Sequence, residues 1–298
     1  MIAAIEVPAP FAERIAGRAP EPTVSGDDWL RRLPALAADV LDDWHLRVTG
    51  DPMYGECALV LPVTGPDGDA VLKLTWPHAE AATEHLALRA WDGIGAVRLL
   101  RADPRRWALL LERLENRDLT TVSVLEGCEV IGGLMARLDR AALPQLDRLS
   151  DLAPRWADLC RNGSPNVPRR FTEQAAALLG HLAGDDLDRS LVHQDLHFTN
   201  VLAADREPWL AIDPKALAGE WEFAVAPVLW NLPELTRAAH NPRTHLRLRL
   251  GLVCESAGLD EDRAAAWTFV RVVVNALWGA DSPEWVTRMV TVAKAMTD

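Results

Sequence analysis

Past about residue 120 the apolar residues of this chain fall at helical spacing almost throughout, and the one exception constrains the fold most. Two strand-and-loop segments, SLVHQDLHFTNVL (190–202) and WLAIDPK (209–215), are set between helices. Each is an apolar run of strand length that breaks into a polar turn. The first third has the opposite character. LRVTGDPMYGECALVLPV (46–63) reads as strand, Gly-containing loop and strand, and TGPDGD (64–69) as a turn. AVLKLTW (70–76) is the next strand, closed by Pro77, and WALLLERLE (107–115) is another. Between them AEAATEHLALRAWDG (79–93) is a helix ending at Gly93. An earlier helix, DDWLRRLPALAADVLDDWHL (27–46), places Trp29, Leu33, Leu36, Val40, Leu41 and Trp44 at helical spacing, with Asp27 or Asp28 as its cap. Residues 1–25, rich in Pro and Ala, read as a loosely ordered lead-in. The expected organisation is α+β and bilobal: lead-in 1–25, a small β-sheet lobe with one helix over 26–114, and a larger, mostly helical lobe over 115–298.

Composition narrows the partners. At 298 residues with 49% hydrophobic residues the chain can bury a substantial core. A net charge of -12 argues against nucleic acid, which calls for a basic face, and suits either solubility or a cationic substrate. Cys57, Cys128, Cys160 and Cys254 form no CxxC pair and read as reduced, which suits the cytoplasm. The N-terminus has an early acid and no basic stretch, so no signal peptide is expected. The apolar run WTFVRVVVNALWGA is broken by Arg271 and Asn275 and is too short for a bilayer, so no membrane partner is expected.

Three features carry chemistry. HQDLHFTN fits H-x-D-x-x-x-x-N with His193, Asp195 and Asn200, the spacing of a kinase catalytic loop. There the aspartate orients the proton of an attacking hydroxyl, and the asparagine reaches a metal ion bridging nucleotide phosphates. His193 reads as a core residue bracing that loop. WLAIDPK then delivers Asp213 into a turn, placed like the second metal-binding aspartate of such a site; Mg²⁺ commonly takes only one or two protein side chains. Finally, Lys73 is one of only three lysines in a chain with 31 basic residues, and it stands inside an apolar strand. A lysine on an early strand, paired with a helix glutamate, is how a kinase holds the α/β-phosphates, and Glu84 is in the following helix, with Glu80 as the alternative.

LVHQDLHFTNVL, WLAIDPK, AVLKLTW, LRAWDGIGAVRLL and WLRRLPALAADVLDDW together resemble the aminoglycoside and hydroxyurea antibiotic-resistance kinases, from about Trp29 to Asn231. The resemblance implies a protein-kinase-like bilobal fold with ATP (or GTP) and Mg²⁺ held between the lobes. It makes Asp195 the catalytic aspartate, Asn200 and Asp213 the metal ligands, and Lys73 the phosphate-binding lysine with Glu84 as partner. GDPMYGECAL would fold over the phosphates, with Gly50 and Gly55 as loop glycines, and backbone groups near Glu112 to Leu114 would bind the base. The family often carries G-D-x-x-x-D after I-D-P, its second aspartate bracing the catalytic loop. This chain has Glu220 and Ala224 at the two acidic places, which leaves the support of its loop to another group. Pro214 and Lys215 stand where protein kinases carry Phe-Gly; Lys215 can reach a phosphate or lie exposed in the turn.

The implied acceptor is a hydroxylated, cationic small molecule such as the aminoglycoside streptomycin, with hydroxyurea or an amino sugar as alternatives. Among twelve tryptophans, Trp221, Trp230, Trp278 and Trp285 can line a pocket by stacking, and Glu220, Glu222, Asp281 and Glu284 can pair with a cation. A different chemistry competes. Read as a continuous strand, HQDLH points His193, Asp195 and His197 to one face, the donor set of a metal-dependent hydrolase.

Overall fold

A computed structural model describes residues 5–21, 23–184 and 186–297. The chain divides into two units, Met1–Glu115 and Asn116–Asp298.

The first unit runs α1 (Ala9–Ile15), α2 (Gly26–Asp43), β1 (Arg47–Val48), β2 (Met53–Tyr54), β3 (Ala58–Gly65), β4 (Gly68–Thr75), α3 (Glu84–Trp91), β5 (Leu99–Asp103) and β6 (Ala108–Glu112). Its strands form one sheet of order β1-β3-β4-β6-β5, with β2 also on β3. All named pairings are antiparallel. The turn signal at 64–69 closes a hairpin in which Gly65 pairs with Gly68 across Pro66 and Asp67. Gly68 has φ +102°, which its missing Cβ permits. β4 lies between β3 and β6, so five of its residues from Ala70 onward are buried. That is why it reads as an unbroken apolar run rather than an alternating one.

The cap of α2 is Ser25, two residues earlier than Asp27 and three earlier than Asp28. Its side chain accepts from Asp28 N–H at 3.1 Å, and the two acids fall in the positive first turn instead. Nor is the segment 9–15 merely part of a lead-in. Phe11 and Ile15 of α1 are fully buried in the core formed by α2, β3 and β4. The Phe11 ring meets Trp29 edge-on at 6.0 Å. The approach is so close that a Cβ on Gly26 would lie 1.8 Å from the Ile15 carbonyl oxygen.

The second unit runs α4 (Val124–Leu138), α5 (Leu149–Asn162), α6 (Arg169–Leu182), β7 (Ser190–His193), β8 (Val201–Ala203), β9 (Trp209–Ala211), β10 (Ala216–Gly219), α7 (Trp221–Ala224), α8 (Ala226–Trp230), α9 (Pro233–Ala238), α10 (Pro242–Ala257), α11 (Glu261–Trp278) and α12 (Pro283–Met296). Two small antiparallel ladders, β7 with β10 and β8 with β9, are its described β-structure beyond single bridges. α11 is the central helix: twelve of its residues are buried, including Trp267, Phe269 and Arg271. Cys128, Cys160 and Cys254 are buried free thiols, raised by burial to about 11, 11 and 12, and so remain protonated at neutral pH. Among the described residues no helix is long and apolar enough to cross a membrane.

Removing the Phe11 ring leaves a cavity that α1 alone cannot collapse. Phe11→Ala is expected to destabilise the first unit by about 3–5 kcal/mol. Denaturant unfolding of the full chain measures this; a loss below 1 kcal/mol would show that α1 is dispensable.

Candidate active site

In the second unit, β7 is buried along its whole length. The pairing of His193 with Ala216 ends the ladder, and Gln194 N–H adds one bond at 3.0 Å to the Lys215 carbonyl. The chain then turns, held by the His193 ring. Nε2 donates to the Ile212 carbonyl at 3.0 Å, and Nδ1 accepts from Asp195 N–H at 3.2 Å. Both ring nitrogens are therefore occupied by neutral partners. Burial lowers the His193 pKa to about 4, so the ring stays uncharged near neutral pH.

The turn presents the Asp195 side chain, 21% exposed. Its Oδ2 accepts from Lys215 Nζ at 2.7 Å, and its Oδ1 lies 3.7 Å from His197 Nε2. Burial alone would raise the Asp195 pKa, but the Lys215 ammonium leads the neighbours that hold it below the ordinary value. His197 is lowered, chiefly by burial. Asp195 is thus an ionised carboxylate with one strong cationic partner.

The β8–β9 hairpin brings the two metal candidates to one end. Val201 pairs with Ala211, and Ile212 N–H donates to the Asn200 carbonyl at 2.9 Å, so the next residue on that side is Asp213. Asn200 Nδ2 donates to the Asp195 carbonyl at 2.9 Å, which leaves the side-chain oxygen as the atom able to meet a cation. Asp213 has φ +53°, a left-handed conformation uncommon outside glycine and held here by its surroundings. A carboxylate and an amide oxygen are hard donors that suit Mg²⁺ completed by phosphate and water.

In the first unit, Lys73 stands in the middle of β4 between Val60 and Leu109. Its ammonium meets both oxygens of Glu84, the first residue of α3, at 2.7 and 2.8 Å. The two side chains are 8% and 3% exposed. Glu80 is exposed on the short turn before α3, so the buried partner is Glu84. Gly50 and Gly55 are both exposed, with φ outside the left-handed region; a Cβ on Gly55 would meet nothing within 4 Å. Neither backbone nor packing demands glycine there. Glu112 N–H donates to the Arg98 carbonyl, and its side chain accepts from Arg98 N–H at 2.8 Å. That amide is therefore already paired within the first unit.

Several expected substrate residues serve the interior instead. Glu220 is 1% exposed: one oxygen accepts from Arg263 at 2.7 Å and from Trp267 Nε1, the other from Arg189 at 3.3 Å. Glu222 is buried and accepts from the same Arg189 at 3.2 Å. These buried acids are already paired with the partly exposed Arg189 and Arg263 and cannot greet a soluble cation. Trp221 is buried too, its Nε1 donating to Asp139. Trp230 is half-buried with the Arg271 guanidinium 5.1 Å from its ring centre, and Asp281 is exposed in the turn between α11 and α12. The His-Asp-His hydrolase set fails because β7 ends at His193. The alternation it needs does not continue, and His193 has no nitrogen left for a metal.

Sequence reasoning missed Arg271, 7% exposed on α11. Its guanidinium donates to the Gln194 carbonyl at 3.0 Å and the Phe223 carbonyl at 3.2 Å, and it lies 4.3 Å from the Phe223 ring centre. The signal was an arginine in the middle of the apolar run WTFVRVVVNALWGA.

Comparison with known proteins places this geometry. A solved aminoglycoside phosphotransferase, APH(4)-Ia, is 15% identical with a TM-score of 0.59, covering 89% of this chain and 99% of that one. The fold is therefore the protein-kinase-like fold of small-molecule phosphotransferases. The streptomycin 6-kinase of Streptomyces glaucescens is 40% identical over 92% of this chain and 91% of its own length. The hydroxyurea phosphotransferase of Kitasatospora aureofaciens is 41% identical over 95% and 82%. The profile of the aminoglycoside/hydroxyurea antibiotic resistance kinases matches residues 43–282, and the chain belongs to that family.

The Lys73–Glu84 pair gives a stability test. Glu84→Leu strands a buried ammonium and is expected to cost about 3–5 kcal/mol. Lys73→Met with Glu84→Leu is expected to recover most of that stability. Denaturant midpoints of the three proteins check it; a double variant as unstable as the single one would show that the charge pair is not the source.

Proposed function

We propose that this chain transfers the γ-phosphoryl group of ATP (or GTP), as its Mg²⁺ complex, to a hydroxyl of an aminoglycoside such as streptomycin. The observation that carries the reading is the Asp195 carboxylate, ionised and partly exposed at the end of β7, in a chain 40% identical to a streptomycin 6-kinase. Asp195 accepts a hydrogen bond from the acceptor hydroxyl, aims its oxygen at the γ-phosphorus, and takes its proton as the new bond forms. Asn200 and Asp213 hold the divalent ion, which offsets phosphate charge when bound. Lys73, kept extended by Glu84, holds phosphate oxygens. Catalysis of this kind is positioning plus electrostatics, with little covalent work for the protein. The net charge of -12 favours approach of a polycationic acceptor.

Hydroxyurea is the second acceptor to assay, because the identity to a hydroxyurea phosphotransferase is as high, at 41%. ADP release with Mg-ATP is expected to rise on adding streptomycin. Asp195→Ala is expected to lower kcat by about a thousandfold, roughly 4 kcal/mol of barrier. Near wild-type turnover in the variant would remove Asp195 from the mechanism. Stimulation by hydroxyurea alone would change the acceptor and leave the transfer.

A further inference from the structure

Building on that reading, we propose that Lys215 is a further catalytic residue: its ammonium, seated on Asp195 in the resting protein, transfers to an oxygen of the γ-phosphoryl group as that group moves to the acceptor. Two observations support this. The first is backbone placement. Lys215 directly precedes β10, and its carbonyl receives Gln194 N–H at 3.0 Å, one step beyond the His193–Ala216 pair. Lys215 and Asp195 are thus fixed at the same end of one ladder, and the 2.7 Å contact follows from that placement.

The second is access. The Lys215 and Asp195 side chains are 29% and 21% exposed. The Glu220 side chain, which also meets several donors, is by contrast 2% exposed. An acceptor hydroxyl that donates to Asp195 must come within about 2.7 Å of that carboxylate, which sets the attacking oxygen beside the ammonium. The phosphoryl oxygens then lie about one P–O bond further on, within the swing of a four-carbon stem. Arginine supplies most of the positive charge in this chain. A compact ammonium with three rotatable donors can move between a carboxylate and a phosphoryl oxygen, whereas a planar guanidinium holds both oxygens of one partner.

The step balances as follows. The acceptor oxygen forms the new O–P bond while the bond from the γ-phosphorus to the β,γ-bridging oxygen breaks, its electron pair leaving with ADP. The acceptor proton passes to Asp195, whose carboxylate thereby loses the charge that held Lys215. The ammonium is released to the phosphoryl oxygens as Asp195 is neutralised. Removing one such electrostatic donor typically costs 10²–10³-fold in rate.

The test is a double-mutant cycle in the full chain, with Mg-ATP and streptomycin, using Lys215→Met, Asp195→Ala and both together. Lys215→Met is expected to lower kcat about a hundredfold, with KM for Mg-ATP within about threefold and an unchanged unfolding midpoint. Lys215→Arg is expected to recover part of the loss. In the Asp195→Ala background, Lys215→Met is expected to lower the residual rate about tenfold more, because the phosphoryl contact is lost independently. If it changes nothing there, Lys215 acts only through Asp195 and the proposal is overturned; kcat near wild type in the single variant overturns it as well. Absence of streptomycin-stimulated turnover in the wild type would instead defeat the acceptor reading. The same cycle run on slow acceptor-free hydrolysis of Mg-ATP would then still decide the role of Lys215.

Discussion

A neutral imidazole holds the centre of the second unit together. His193 is fully buried, and its two nitrogens bond to the backbone of the two segments that matter: Nε2 to the Ile212 carbonyl before Asp213, and Nδ1 to the N–H of Asp195. One planar ring thereby sets the spacing between the turn that carries Asp195 and the strand end that carries Asp213. Only the uncharged tautomer can donate from one nitrogen and accept at the other. Burial, which lowers its pKa to about 4, is therefore part of the design rather than a by-product. A ring charged at neutral pH would have no acceptor for Asp195 N–H and would place a cation in the core.

Buried charge elsewhere is handled by pairing. Lys73 with Glu84, and Glu220 with Arg263 and Arg189, are ion pairs with at least one partner almost out of water. Such pairs contribute little net stability, because desolvation offsets most of the attraction, but either member alone is strongly unfavourable. The two clusters differ in what they can do next. Glu220 is surrounded by two arginines and the Trp267 N–H, and its geometry is closed. Glu84 holds one ammonium with both oxygens, which fixes where Lys73 points.

Local chemistry explains what was legible in the sequence. The Asp195–Asn200 spacing, Asp213 and the Lys73–Glu84 separation could be read because short-range spacing fixes which groups a turn or a strand-helix pair can present. β3 and β4 announced themselves by their apolar runs. β5 did not, since Leu99–Asp103 is half exposed and lacks alternation; its partner β6 makes it a strand. β10 is Ala-Leu-Ala-Gly, weak in β-propensity, and exists because β7 needs an antiparallel neighbour. α1 is masked by prolines, although Phe11 and Ile15 carry the i, i+4 spacing of a buried stripe. The acids near 220 looked like ligand residues because a sequence does not show which carboxylates are buried against arginines of their own chain.

The support of the Asp195 turn illustrates the same limit. Members of this family often place a loop-bracing aspartate where this chain has Ala224, which is fully buried. A carboxylate there would accept from backbone N–H groups. In this chain the corresponding bond runs in the opposite sense: Arg271, from the middle of α11, donates to the carbonyls of Gln194 and Phe223. The Phe223 and Trp230 rings, 4.3 and 5.1 Å from the guanidinium carbon, offer their π faces to the charge. A carboxylate at 224 and a guanidinium at 271 are thus alternative ways to fix one turn, one by accepting and one by donating. Because Arg271 is 76 residues beyond Asp195 in sequence (271 − 195 = 76), no local motif could reveal it. The interrupted apolar helix was its only trace, and packing around α11 converts that interruption into a brace.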